Sequence, residues 1–249
     1  MTSDDDAVTS EQQRSIPQQP PQALVVDWGG VLTVPLAQAF GGWARSEGID
    51  MPLWRAILLE WGSLGTPAGG RGTDQVAGGS AGVVLASGPV AALERGEIDG
   101  SDFETQLADE LGRRGVQVRA KGLLGRMLSG LEEGEPRMFE VVRAARAAGI
   151  STALLSNSWG NTYDRTGWDE LFDVVVISGE VGMRKPEARI FVRTVELLAV
   201  APQACVMVDD LPSNVAGAEA VGMRAVLHRT VEETVDVLTG LLPVDFSRG

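Results

Sequence analysis

The chain has 249 residues, 44% of them hydrophobic, and a formal net charge of −13. Its length allows one sizeable core, while the acidic balance excludes nucleic acid as a default partner, because a phosphate backbone is bound by clustered Lys and Arg. Cys205 is the single cysteine, so no intrachain disulfide forms, and no run approaches the roughly 18 apolar residues of a membrane span.

In chain order, residues 1–22 come first. They are rich in Asp, Ser, Gln and Pro and end in PQQPPQ. Such a segment buries little surface and is predicted to be a disordered tail. Its opening, MTSDDDAVTS, is not a secretory signal. With the lone cysteine, it points to a cytoplasmic protein in a reducing compartment. Five continuous apolar runs follow: ALVV (23–26), TALLS (152–156), DVVVIS (173–178), ACVMVD (204–209) and RAVLH (224–228). Unbroken, Val-rich runs of this kind are strands buried on both faces of a parallel sheet. Helical patterns at 136–149, 185–200 and 213–222 separate the later runs, with Gly149 as a C-cap and Pro186 in a first helical turn. The expected fold is a doubly wound, Rossmann-like α/β sheet, mostly parallel.

More than a hundred residues without a comparable strand separate the first two runs. Helical patterns fill them at 35–48, 51–62, 101–115 and 119–131, and residues 62–88 are rich in glycine. The expected organisation is an α/β core of residues 23–34 and 132–249, with a helical cap inserted at 35–131. Trp43, Trp54 and Trp61 fall near helical spacing and are read as packing within that insertion.

In an open parallel sheet, ligands bind beyond the carboxyl ends of the strands. The first strand delivers Asp27 to that edge, the second Ser156 and Asn157, and the fourth Asp209 and Asp210, while Lys185 follows the third strand closely. Clustered carboxylates stay ionised only beside compensating charge. Lys185 supplies part of it, and oxygen-rich sites of this kind suit a hard cation such as Mg2+. Gly29 and Gly30 leave backbone groups free to approach an anion or a metal. A carboxylate in such company is suited to attack a phosphoryl centre and form an aspartyl-phosphate. Trp28 and Trp159 follow strand ends that carry these residues and are candidate walls of a substrate pocket. His228, the sole histidine, and Cys205 read as structural.

In motif order, Asp27, Ser156, Lys185 and the Asp209–Asp210 pair with Asn214 resemble the haloacid dehalogenase superfamily over nearly all of residues 23–230. The resemblance implies Asp27 as nucleophile and Lys185 as its catalytic partner. Ser156, Asn157, Lys185 and the Trp28–Gly29–Gly30 turn would surround the phosphate. Asp27, the Gly29 carbonyl, Asp209 and Asp210 would hold Mg2+, with Asp210 the more direct ligand of the pair. The inserted helices are similar to the superfamily's C1-type cap. GMRKPEARIF and RGEID resemble the branch that includes alpha-glucose-1-phosphate phosphatases and the phosphatase-like N-terminal part of epoxide hydrolases. Within RGEID, Arg95 and Glu97 are candidates to touch substrate.

One position departs from the pattern. Gly29 stands where most phosphatases of the superfamily carry a second aspartate that protonates the leaving group. Such an acid is typically worth about 10²–10⁴-fold in rate. A sugar 1-phosphate, whose anomeric hydroxyl leaves more easily than an ordinary alcohol, would need it least. The implied protein is a Mg2+-dependent phosphatase of a small phosphorylated metabolite, acting as a monomer or homodimer. Two alternatives stay open: a hydrolytic dehalogenase, in which Asp27 attacks carbon, and a phosphometabolite-binding protein without turnover.

Overall fold

The computed structural model describes residues 20–61, 87–131 and 134–246. Most of the expected tail and of the glycine-rich stretch therefore lies outside the described residues. Five strands form one parallel sheet: β1 (Ala23–Val26), β2 (Ser151–Ser156), β3 (Val174–Ile177), β4 (Cys205–Asp209) and β5 (Arg224–Leu227). Their order is β3-β2-β1-β4-β5, so β1 is central and flanked by β2 and β4. Val26 sits beside Leu154 on one side and Val208 on the other. The residues that follow β1, β2 and β4 therefore emerge together at one edge.

The helices are α1 (Leu36–Ser46), α2 (Met51–Glu60), α3 (Pro89–Glu94), α4 (Gly100–Arg113), α5 (Leu123–Leu128), α6 (Pro136–Ala147), α7 (Trp168–Leu171), α8 (Ser178–Val181), α9 (Ala188–Leu198), α10 (Pro212–Ala220) and α11 (Val231–Leu241). Alternate residues of β1 point to opposite faces of the sheet. Leu24 and Val26 join Val206 and Val208 under Met138 and Val142 of α6 and Leu238 of α11. Ala23 and Val25 join Met207 under Ile190, Phe191 and Val195 of α9 and Ala218 of α10. Burial on both faces is why these strands read as unbroken apolar runs. Cys205 is fully buried in the second of these layers.

Helices α1 to α5 build a separate hydrophobic cluster from Phe40, Trp43, Trp54, Ile57, Trp61, Phe103 and Leu107, joined by Trp159 from beyond β2. Asp99 caps α4 by accepting from the Asp102 N–H at 2.8 Å. An isolated antiparallel bridge pairs Thr33 with Gly134, so the chain leaves the sheet layer and returns to it at neighbouring points. Among the described residues no helix is long and apolar enough to cross a membrane.

The sequence expectation needs correction at Pro186. That residue is not in a first helical turn: α9 starts at Ala188, after Glu187 in an extended N-cap conformation. The main chain ahead of the helix is instead held by Asn157, as described below. Gly149 does follow α6 in the left-handed region, with φ +82°. Helices α3, α7, α8 and α11 have no counterpart in the sequence reading. For α11 a signal was present: Thr230 accepts from the Glu233 N–H, and a Thr three residues before a Glu is capping-box spacing.

Candidate active site

Asp27 is the first residue beyond β1. Its N–H donates to the Val208 carbonyl at 3.0 Å, which continues the β1–β4 ladder by one step. Its carboxylate Oδ1 accepts from the Trp28 N–H at 2.7 Å and from Lys185 Nζ at 2.8 Å. Lys185 is almost fully buried, at 1% exposure, and its Nζ also reaches Asp209 Oδ2 at 2.6 Å. The other oxygen of Asp209 accepts from the Leu211 N–H and from Asn214 Nδ2, each at 2.9 Å. Asn157 brackets the main chain of Lys185: its Oδ1 accepts from the Lys185 N–H at 2.8 Å, and its Nδ2 donates to the Lys185 carbonyl at 3.0 Å. The side chain read as a phosphate ligand is thus occupied in fixing the lysine.

Asp27, Asp209 and Asp210 bring carboxylate oxygens within 4.8 Å of one another. One lysine faces three acids. Burial, then the charges of Asp209 and Asp210, push the Asp27 carboxyl up to about 8 against the pull of Lys185. Burial and Asp209 likewise push Asp210 up to about 6. Burial disfavours the charge on Lys185, but Asp209 and Asp27 outweigh it and hold its pKa above the ordinary value. The cluster is therefore short of positive charge, and its donors are hard oxygens. Both properties fit a divalent cation of the Mg2+ type. Asp209 has both oxygens engaged by protein donors, which leaves the half-buried Asp210 as the more available ligand.

The two glycines of the turn differ. Gly30 has φ +81°, and a Cβ there would lie 2.3 Å from Asp210 Oδ2. Its lack of a side chain is a condition for the position of Asp210. Gly30→Ala is expected to displace that carboxylate, cost about 1–3 kcal/mol in stability, and lower activity at least about tenfold. Thermal melts and steady-state rates check this, and wild-type values in both would count against the assignment. Gly29 has no such constraint: a Cβ there would meet only the Leu36 side chain, at 3.4 Å or more. A cavity of about 490 Å³ opens beside Asp210, lined by Gly30, Thr33, Gln38, His228 and Arg229 among others. His228 is anchored by a 2.8 Å hydrogen bond between Nδ1 and Thr234 Oγ1.

Trp28 packs edge-on against Phe139 and Tyr163 and tilts against Trp168. Trp159 turns the other way, into the helical cluster, and donates its indole N–H to Glu94 at 3.1 Å. Glu94, at the end of α3, also ion-pairs with Arg184 at 2.5 Å. Arg95 pairs with Glu97 at 2.6 Å and with Glu187 at 3.1 Å, so its contacts run to the loop around Lys185. Ser156, buried at the end of β2, meets the hydroxyl of Tyr163 at 2.9 Å. Neither Glu94 nor Tyr163 was singled out by the sequence, although Glu94 directly precedes RGEID and Tyr163 is the only tyrosine.

The structure thus sets an Asp–Lys pair and two further carboxylates at the carboxyl edge of a doubly wound parallel sheet. The chain belongs to the haloacid dehalogenase-like hydrolases, whose family profile matches residues 21–222. It is 28% identical over 154 residues to the sesquiterpene phosphatase astK of Aspergillus oryzae, covering 60% of this chain and 76% of that protein. Other curated relatives are matched over 15–64% of their own length. Among solved structures, the chain resembles a HAD-like hydrolase of Porphyromonas gingivalis, with TM-score 0.62, 21% identity, and coverage of 90% and 99% of the two chains. It also resembles a HAD family enzyme of Bacteroides thetaiotaomicron in complex with magnesium and inorganic phosphate, with TM-score 0.56, 18% identity, and coverage of 84% and 94%.

Proposed function

We propose that the protein is a cytoplasmic, Mg2+-dependent phosphatase of a small phosphorylated metabolite, working through a phosphoryl group carried on Asp27. The observation that carries the reading is Asp27, held by Lys185 within a cluster of three carboxylates that one lysine leaves short of positive charge. Asp27 Oδ attacks phosphorus, the ester oxygen leaves with its electron pair and takes a proton from solvent, and water later attacks the same phosphorus, giving up a proton to solvent, to release phosphate and regenerate the carboxylate. Lys185 holds the Asp27 carboxylate and neutralises charge on the transferring group. Ser156 donates to a phosphoryl oxygen. Asn157 keeps Lys185 in place through its main chain. Asp27, the Gly29 carbonyl, Asp209 and Asp210 would hold Mg2+, which supplies charge neutralisation at the phosphoryl oxygens. The astK relative, a phosphatase by name, supports this reading, as do the magnesium and phosphate of the Bacteroides structure.

The helices of residues 35–131 act in this reading as a cap over the carboxyl edge, inserted where Thr33 meets Gly134. Without a carboxylate at position 29, substrates with good leaving groups are favoured, and sugar 1-phosphates suit best. The test is a phosphate-release screen over phosphorylated metabolites with Mg2+, using Asp27→Asn as the blank. Glucose 1-phosphate should be turned over faster than glucose 6-phosphate. Activity that survives thorough chelation would instead favour attack on carbon, as in a dehalogenase.

The cation also has a signature independent of turnover. A carboxyl whose folded pKa lies above its unfolded value binds its proton more tightly in the folded chain. Without metal, the burial of Asp27 and the acids beside it therefore make its contribution to stability fall as pH rises from about 4 to about 8. Metal binding requires deprotonated ligands. Added Mg2+ is expected to raise Tm more at pH 8 than at pH 5, with EDTA reversing the gain. Equal increments at the two pH values would remove the carboxylate cluster as the binding site.

A further inference from the structure

Ser156 carries a single hydroxyl hydrogen that is free to rotate, so its orientation depends on what meets its oxygen. Among the described residues the side-chain partner is Tyr163, with 2.9 Å between the two hydroxyl oxygens. Tyr163 lies in the loop between β2 and α7 and is fixed there by its ring. The ring stands edge-on to Trp28 at 6.0 Å and against Trp168 at 5.6 Å. The guanidinium of Arg165 covers the Trp168 ring at 5.6 Å. Trp28 is the residue after Asp27, so the aromatic cluster braces Tyr163 against the nucleophile's own turn. Burial, the largest influence, raises the phenol's pKa, and the neighbouring Asp27 charge acts in the same direction. The hydroxyl therefore stays protonated and is available as a donor.

We infer that Tyr163 is a positioning residue: it donates to Ser156 Oγ and so commits the Ser156 hydrogen to a phosphoryl oxygen of the substrate. This rests on the phosphatase reading and adds a residue to its site. The alternative direction, Ser156 donating to Tyr163, would leave the serine no hydrogen for substrate. A pre-aimed hydroxyl avoids reorganisation when phosphate arrives, which is the advantage of a fixed donor over a mobile one.

The test is a double-mutant cycle of Tyr163→Phe and Ser156→Ala. It is read by kcat and KM on the best substrate of the screen and by calorimetric binding of inorganic phosphate with Mg2+. Phenylalanine keeps the ring contacts, so Tm should fall by no more than a few degrees, the loss of one buried hydrogen bond. Tyr163→Phe is expected to lower kcat/KM and phosphate affinity about three- to tenfold, the worth of one hydrogen bond. In the Ser156→Ala background the same substitution should change neither. A purely structural tyrosine would lower both backgrounds equally, and that result overturns the inference. So does a Tyr163→Phe enzyme that matches an active wild type, and in that case the phosphatase reading survives. A wild type that neither hydrolyses any phosphate ester nor binds inorganic phosphate overturns both.

Discussion

Asp27→Asn is expected to reduce phosphate release by on the order of 10⁴-fold or more, the scale seen when a covalent nucleophile is removed. The amide cannot attack phosphorus, yet it keeps the shape of the carboxylate. Its oxygen can still accept from the Trp28 N–H and from Lys185, which now hold Asp27 at 2.7 and 2.8 Å. The fold should therefore stay intact. Stability should even rise in the metal-free protein, because one of two buried acids crowded beside the half-buried Asp210 is gone. The combination of higher Tm and lost turnover separates a chemical role from a structural one. Residual activity within tenfold of wild type would show that Asp27 does not form the covalent bond. Single-turnover labelling with a radioactive phosphate ester gives the direct measurement: label on wild type, none on the variant.

Lys185→Met carries the second large effect, and it acts on stability as well as on rate. The ammonium is buried between Asp27 and Asp209. Removing one partner of a buried charge cluster leaves uncompensated carboxylates and costs about 3–5 kcal/mol. For a chain of this size that corresponds to a Tm lower by roughly 6–20 °C. Loss of the charge beside the nucleophile should also cut kcat by about 10²–10³-fold, as for other preorganised electrostatic groups. The double variant Lys185→Met/Asp209→Asn separates the two effects. It should regain much of the lost Tm, because one unpaired acid is removed with the lysine, and it should regain no activity. Recovery of both together would argue that the lysine only supports the fold. Lys185→Arg is not a neutral control, since a planar guanidinium does not fit where an ammonium meets two acids.

The sheet was legible in the sequence because strands buried on both faces leave an unambiguous mark. All five apolar runs became strands, with ends within one residue of expectation. The convergence of Asp27, Ser156, Asp209 and Lys185 was legible too, since all strands of a parallel sheet end at one edge, and the observed order places β1 between β2 and β4. What lay beyond reach were pairings that depend on the path of the chain between elements. Glu94 meets Arg184 and Trp159 across 90 and 65 positions of sequence, through an interface between α3 and the loops after β2 and β3. Asn157 reads as a ligand when seen beside Ser156. Its role in bracketing Lys185 appears only once residues 28 positions apart are in contact. The start of α9 was misplaced for a related reason: proline favours a first helical turn, but Lys185 and Pro186 form a turn, closed by the Glu187 N–H on the Arg184 carbonyl at 2.8 Å, and only the extended Glu187 leads into the helix.

The two neighbouring glycines of the turn differ in what the fold allows at each. Gly30 is locked by its backbone and by Asp210, so the turn has no room for a side chain there. Position 29 has ordinary backbone torsions and a leucine side chain at van der Waals distance. A Cβ fits there at ordinary contact distance without rebuilding the turn. The fold therefore leaves position 29 open to a methyl group where it forbids one at position 30.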